Sequence, residues 1–152
     1  MSFFGVRGGK NPLKEFWTIQ SLLPKAYTAA TNGGNIDRYR NGGYFALNLE
    51  LLPGLWTDGT HAFVIEEADD NGSGAPGTYA TVAITDLLYD ANANAAGGTF
   101  TSITAATTTV QRIDYIGRKR WVRVRNTVSG QTTGAVYAVI GHLFSPVILP
   151  AA

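Results

Sequence analysis

The feature that most constrains this chain is a strict alternation of side-chain character. In Tyr44-Phe45-Ala46-Leu47-Asn48-Leu49-Glu50-Leu51, Phe45, Leu47, Leu49 and Leu51 share one side, and Tyr44, Asn48 and Glu50 share the other. A helix would scatter these residues around its axis, whereas a strand sorts them onto two faces. Arg120-Trp121-Val122-Arg123-Val124-Arg125 repeats the pattern. Val122 and Val124 fall on one face there, with Trp121, Arg123 and Arg125 on the other. His61–Glu67 and the long apolar run Ala135–Phe144 read as further strands. Tyr79–Ile84, Thr99–Ile103 and Thr109–Tyr115 are shorter candidates, and Asp86-Leu87-Leu88 reads as one helical turn.

Turn residues separate these segments. Pro53-Gly54, Asp58-Gly59, the loop Ala68–Gly74, the polar stretch 91–98, Gly117, and Gly130 with Gly134 each suit a tight or left-handed backbone. Short strands at regular spacing with glycine-rich turns predict an all-β fold, an antiparallel β-sandwich of jelly-roll or immunoglobulin-like type. A chain of 152 residues suits one such domain, expected over residues 25–152. The expected core is Phe45, Leu47, Leu49, Phe63, Ile65, Val122, Val124, Val139 and Ile140. The last two are adjacent, so their joint burial requires a strand covered on both faces.

Residues 1–24 differ from the rest. Phe3, Phe4, Phe16 and Trp17 stand beside Arg7, Lys10 and Lys14. Asn11-Pro12 reads as a helix start, and Pro24 as its end. Leu13, Phe16, Trp17 and Leu23 fit one broad helical face. A helix this short is marginal without a surface to lie on, so an extended or short-helical N-terminal arm is expected. Its large apolar groups need cover, either from its own domain or from a partner.

Charge is sparse and uneven. Only 15% of residues are charged and the net charge is +1. No Lys or Arg occurs between Asn41 and Gln111, a stretch holding eight carboxylates; Arg112, Arg118, Lys119, Arg120, Arg123 and Arg125 follow together. Either acidic and basic strands are neighbours in one sheet, or they meet across copies or partners. A surface of Thr, Asn, Gly and Ala costs less to desolvate than one of Lys and Glu, which suits large protein contacts.

Candidate chemistry is thin. With no cysteine, disulfides and thiolate catalysis are excluded. No apolar run reaches the length of a membrane span, and the N-terminus lacks the apolar core of a secretory signal. His61 and His142 have no ligand-like spacing, so structural roles are expected. Glu66-Glu67 and Asp69-Asp70 are adjacent pairs that a strand turns to opposite faces, not an acid/base couple. Asp69–Gly74 offers oxygen atoms to calcium but lacks a full EF-hand spacing and its final Glu. Gly5–Lys10 imitates part of a phosphate-binding loop without a preceding strand or a Lys-Ser/Thr pair. The basic strand with Trp121 could grip single-stranded nucleic acid, although one strand is a narrow footprint. Trp56, Tyr44 and Trp121 could present flat faces to sugar.

Tyr115-Ile116-Gly117-Arg118-Lys119-Arg120-Trp121-Val122-Arg123-Val124 resembles a pattern found in small structural proteins of tailed bacteriophages. There a Tyr-Ile-Gly turn precedes Lys-Arg, an aromatic residue and Val-Arg-Val. Leu13–Pro24, Trp56–His61 with Glu66–Asp70, and Gly134-Ala135-Val136 fit the same resemblance. It implies a non-enzymatic virion component, a capsid decoration or cement protein on the capsid surface, assembled in the host cytoplasm. Its partners would be the major capsid protein and copies of itself, with no cofactor, no small-molecule substrate, no membrane, and nucleic acid disfavoured. The resemblance leaves open another head or tail component. The partner-binding residues expected are Phe3, Phe4, Arg7, Lys10, Lys14, Phe16, Trp17, Arg120, Trp121, Arg123 and Arg125.

Overall fold

A computed structural model describes residues 16–40 and 43–144. Twelve strands follow in order: β1 (Trp17–Tyr27), β2 (Thr31–Asn32), β3 (Ile36–Asp37), β4 (Tyr39–Arg40), β5 (Gly43–Tyr44), β6 (Ala46–Trp56), β7 (Thr60–Ala68), β8 (Ala80–Thr81), β9 (Leu87–Tyr89), β10 (Gln111–Tyr115), β11 (Trp121–Ser129) and β12 (Ala135–Phe144). They form a five-stranded sheet ordered β1-β12-β6-β10-β9 and a second sheet ordered β2-β11-β7-β8, with β3 also on β11; β4 pairs with β5. The pairings are antiparallel. The two sheets pack face to face over one core, as an all-β sandwich.

The alternation decides which side chains enter that core. Leu47, Leu49 and Leu51 on β6 are buried, as are Ile113 and Tyr115 on β10 and Val139 and Leu143 on β12. Phe63 and Ile65 on β7 meet them with Val122 and Val124 on β11. Ile140 is a correction: it is half-buried on the outer side of its sheet, opposite Glu50. Burial on both faces of β12 falls instead at Ala138.

Several polar groups inside the sandwich are satisfied in chains, although the buried Tyr89 hydroxyl has no hydrogen-bond partner among the described residues. His61 is fully buried, with Nε2 3.1 Å from the Asp58 carbonyl oxygen and Nδ1 3.2 Å from the Tyr137 hydroxyl. A carbonyl only accepts, so Nε2 carries the proton and Nδ1 accepts from Tyr137. Asn126 in turn donates to the Tyr137 oxygen at 2.6 Å. Arg38, also buried, donates to the carbonyls of Phe45, Gly117 and Lys119. Its guanidinium lies over the Tyr115 ring. Burial holds Arg38 below its usual pKa, and Tyr115 above its own. The Tyr115 hydroxyl donates to Glu67 across the two sheets.

Several local expectations change. The helix expected from Asn11 is strand from Trp17 onward, and β1 runs through Pro24. Trp17 and Ile19 alternate with Thr18 and Gln20, and β12 offers a full ladder that a three-turn helix could not match. Pro24 sits on the edge strand where the register shifts between Leu22 and Lys25, a position that needs no ladder N–H. Residues 17–24 therefore belong to the sheet, and the division between Pro24 and Lys25 falls inside a strand. Residues 1–15 and the closing segment 145–152 lie outside the described residues. Only Ala80 and Thr81 of the Tyr79–Ile84 candidate are strand. Thr99–Ile103 is reduced to isolated bridges at Thr99 and Ile103. The helical turn is a 3₁₀ turn at Ile84–Asp86, after which Leu87 begins β9.

Candidate functional site

Strand polarity brings the start of β1 and the end of β12 to the same end of the sandwich, because Trp17 pairs with Leu143. Phe16 precedes the ladder and Phe144 closes it. Their rings lie 5.3 Å apart, and Phe16 stacks on His142 at 5.6 Å. His142 is held by Thr18 on one ring nitrogen and Glu50 on the other. Trp17, partly buried, meets the edge of Phe45 at 5.0 Å. Next to Phe45 in the chain, Tyr44 packs against Tyr39 from the β4–β5 pair at 5.3 Å. Phe16, Tyr39, Tyr44 and Phe144 are each 42–47% exposed. The surface at this end is aromatic and open.

The same end carries a depression of about 370 Å³ on the outside of the five-stranded sheet. Phe144 and Ala46 form one side, and Ile116 and Leu88 the other. Ile116 and Leu88 are each more than half exposed. Among the described residues Asp114 is the carboxylate that lines it, hydrogen-bonded by Asn48 at 2.6 Å, and Arg112 lines an adjoining depression together with Asp114, Asn48 and Leu88. These apolar residues occupy the outward phase of their strands: Leu143 points in and Phe144 out, Leu87 in and Leu88 out. The sequence expectation named only Phe16 and Trp17 here. The signal it missed was an apolar residue on the polar phase, as at Ile116 after Ile113, Asp114 and Tyr115.

The basic strand has a different fate. On the outer face of the second sheet, Arg123 lies opposite Glu66 in the ladder. Arg123 Nε donates to Glu66 Oε2 at 2.7 Å, and Arg125 Nε to Oε1 at 3.0 Å. Arg123 also covers the Tyr79 ring at 3.9 Å, and burial pushes the Tyr79 hydroxyl up to about 12. Arg120 grips Asp37 with two parallel bonds of 2.8 Å and reaches Asp70 at 2.7 Å. Lys119 meets Asp69. Acidic and basic strands are thus neighbours in one sheet. Trp121, expected on the solvent side, is only 9% exposed, with Arg120 over its ring. The structure therefore brings Arg120, Trp121, Arg123 and Arg125 together, but with the arginines already paired to carboxylates of their own chain. Arg120 also lies over the Tyr39 ring at 5.3 Å, so this cluster borders the aromatic end. Phe3, Phe4, Arg7, Lys10 and Lys14 lie outside the described residues, as does Gly5–Lys10.

The remaining candidates are accounted for locally. Asp70 Oδ1 accepts from the N–H groups of Gly72 and Gly74, and Asn71 Oδ1 from Ser73 and Ala75. The side-chain oxygen atoms offered to calcium are thereby used in shaping the turn. Among the described residues no group of three or more His, Asp or Glu is placed to hold a metal. Trp56 closes β6 and Tyr44 lies on β5, before β6 begins at Ala46; the ten strand steps of β6 alone span about 33 Å, so the two do not form one sugar platform. Comparison of the chain with protein-family models, with curated proteins and with solved structures finds no match.

Proposed function

We propose that this chain is a non-enzymatic structural component of a tailed-bacteriophage virion, a capsid decoration or cement protein that uses the aromatic end of its sandwich to bind the shell. One observation carries the reading. The open aromatic and apolar side chains gather where both ends of the described chain emerge, while the charged face is occupied by its own ion pairs. A monomer gains nothing from leaving Phe16, Phe144, Ile116 and Leu88 in water; a protein partner that covers them does. The Tyr115–Val124 resemblance supplies the kind of partner, the major capsid protein and neighbouring copies. Low charge supports the same reading, because many weak identical contacts sum to a stable lattice through effective concentration.

The test is made on purified particles from the source of this sequence. The protein should copurify with assembled capsids in a copy number that tracks the number of capsomers. A handful of copies per particle would instead mark a head-completion or tail component, and absence from particles would overturn the reading. The double variant Phe16→Ser, Phe144→Ser should keep its fold and lose the shell.

A further inference from the structure

Asn-Gly occurs three times in this chain, at Asn32, Asn41 and Asn71. In this pairing the side-chain amide is open to attack by the next backbone nitrogen, because glycine leaves that nitrogen unshielded and its backbone free. Asn41-Gly42 lies outside the described residues. The other two pairs differ. The Gly33 N–H is held by the Val124 carbonyl at 2.9 Å, in a place so tight that a Cβ would clash with that oxygen. A neutral carbonyl cannot take the proton, and the ladder fixes the nitrogen. Gly72 has φ of 89° and nothing within 4 Å of where a Cβ would stand. Its N–H is held by a carboxylate oxygen, Asp70 Oδ1, at 2.7 Å. Arg120 binds the other oxygen of that carboxylate at 2.7 Å and keeps it in place. The Asn71 amide oxygen accepts from the Ser73 N–H at 2.9 Å, the Ser73 hydroxyl at 2.7 Å and the Ala75 N–H at 3.3 Å.

We propose that Asn71 is a site of self-catalysed deamidation, with the Gly72 nitrogen as nucleophile, Asp70 as base, and the donors of Ser73 and Ala75 as an oxyanion hole. The Gly72 nitrogen bonds to Asn71 Cγ while Asp70 takes its proton. The electron pair of the Cγ=O double bond moves to Oδ1, where the donors already point. When that pair returns, the bond from Cγ to the side-chain nitrogen breaks, and ammonia leaves with the proton that Asp70 had taken. A succinimide remains. Water opens it at either carbonyl to aspartate or isoaspartate, so a water is consumed and ammonia released, with no oxidant or cofactor. Either product adds a negative charge next to the Asp70–Arg120 pair, and Arg120 lies over Tyr39 at the aromatic end. The isoaspartate also lengthens the backbone by a methylene and breaks the turn that Asn71 Oδ1 organises. The loop is thus a one-way change of charge beside the aromatic end, and it does not depend on what that end binds.

The test ages the native full-length protein at neutral pH beside the same chain unfolded in guanidinium chloride. Mass spectrometry of proteolytic fragments reads the replacement of NH2 by OH at each Asn and separates aspartate from isoaspartate. Asn71 should react at least about threefold faster in the native chain than in the unfolded one, a small part of what a base and oxyanion donors give in a closed site. Asn32 should do the opposite, because the ladder holds Gly33. Asp70→Asn and Ser73→Ala should each lower the native rate at Asn71 towards the unfolded rate, and leave the unfolded rate nearly unchanged. Asp70→Glu, which keeps a carboxylate, should retain more of the native rate than Asp70→Asn. A native rate at or below the unfolded rate would overturn the proposal, since the bonds to Asn71 would then be protecting it. So would a native rate that neither Asp70→Asn nor Ser73→Ala lowers in chains whose circular dichroism shows them folded.

Discussion

The two outer faces of this sandwich begin from the same alternation and end in opposite states. On the β11–β7 face the outward positions carry Arg123, Arg125 and Glu66, and these close on one another. On the β12–β6–β10–β9 face the outward positions at one end carry Phe144, Ala46, Ile116 and Leu88, which line a depression among the described residues. The first face resembles an interface already occupied by its own chain. Among the described residues, nothing pairs with the second in this way. A cluster of arginines in a sequence therefore says little about partners until its carboxylates are located. In an antiparallel sheet the neighbouring strand is the nearest place to find them.

The largest effect that sharpens the contrast lies just beneath the open face. Leu47 is 1% exposed and faces inward between Ala46 and Asn48, which line the depression side. Leu47→Ala should cost about 2–5 kcal/mol, the usual range for emptying a core leucine site, read by denaturant unfolding. A loss near 0.5 kcal/mol would show that the inner and outer phases of β6 were exchanged.

The next effect belongs to the closed face. Glu66 has 11% of its side chain exposed and serves both Arg123 and Arg125. Glu66→Ala leaves two guanidinium groups without their acceptor. Arg125 is about a third exposed, so solvent recovers part of the loss and the cost should be about 1–3 kcal/mol. Raised salt should lower the stability of the native chain more than that of the variant. If Glu66→Ala were neutral at low salt, the closed face would be no more committed than the open one.

A smaller effect is expected at the far end of the sandwich. The Asp58 carboxylate accepts from the N–H groups of Thr132, Thr133 and Gly134, clasping the β11–β12 turn to the β6–β7 turn. Gly134 itself has φ of 82°, and a Cβ there would meet the Tyr27 carbonyl oxygen. These bonds, with Gly134 first and Thr133 next, hold the Asp58 carboxyl below its ordinary pKa. A lowered folded pKa contributes stability that is fully present above the unfolded value, about 3.9, and is lost as pH falls through the folded one. Asp58→Ala should therefore lower the thermal midpoint at pH 7, and the gap to the native chain should close in acid. A gap that stays constant down to pH 2 would assign the loss to something other than the ionised clasp.

Much of this arrangement was legible in the residues. The alternation of Phe45–Leu51 and Val122–Val124 placed the core strands, because a period of two has one interpretation when one face is apolar. The charge asymmetry anticipated acidic and basic neighbours. What was not legible depended on contacts distant in sequence. Trp17–Leu23 could satisfy either a helix or a strand until β12 supplied a ladder. Trp121 looked exposed by phase, yet the neighbouring Arg120 side chain covers its ring. Leu88 read as part of a helical turn and Ile116 as part of a Tyr-Ile-Gly turn, because their outward phase is fixed only by the pairing of β9 and β10.

The smallest stability effect is expected where the contrast is sharpest. Ile116→Ser with Phe144→Ser removes apolar surface that is already about half exposed, so little burial is lost on folding and unfolding should shift within about 0.5 kcal/mol per site. Phe16 loses its ring contact with Phe144 but keeps its stacking on His142. The same pair of changes removes two walls of the depression and should abolish shell binding. Stability and association thus move independently on this face. On the β11–β7 face Glu66→Ala should lower stability and leave association intact, since its groups already have their partners. Shell binding that survives Ile116→Ser with Phe144→Ser but fails with Glu66→Ala, at equal folded fraction, would reverse the roles of the two faces. It would return the arginine strand to the interface that its sequence first suggested.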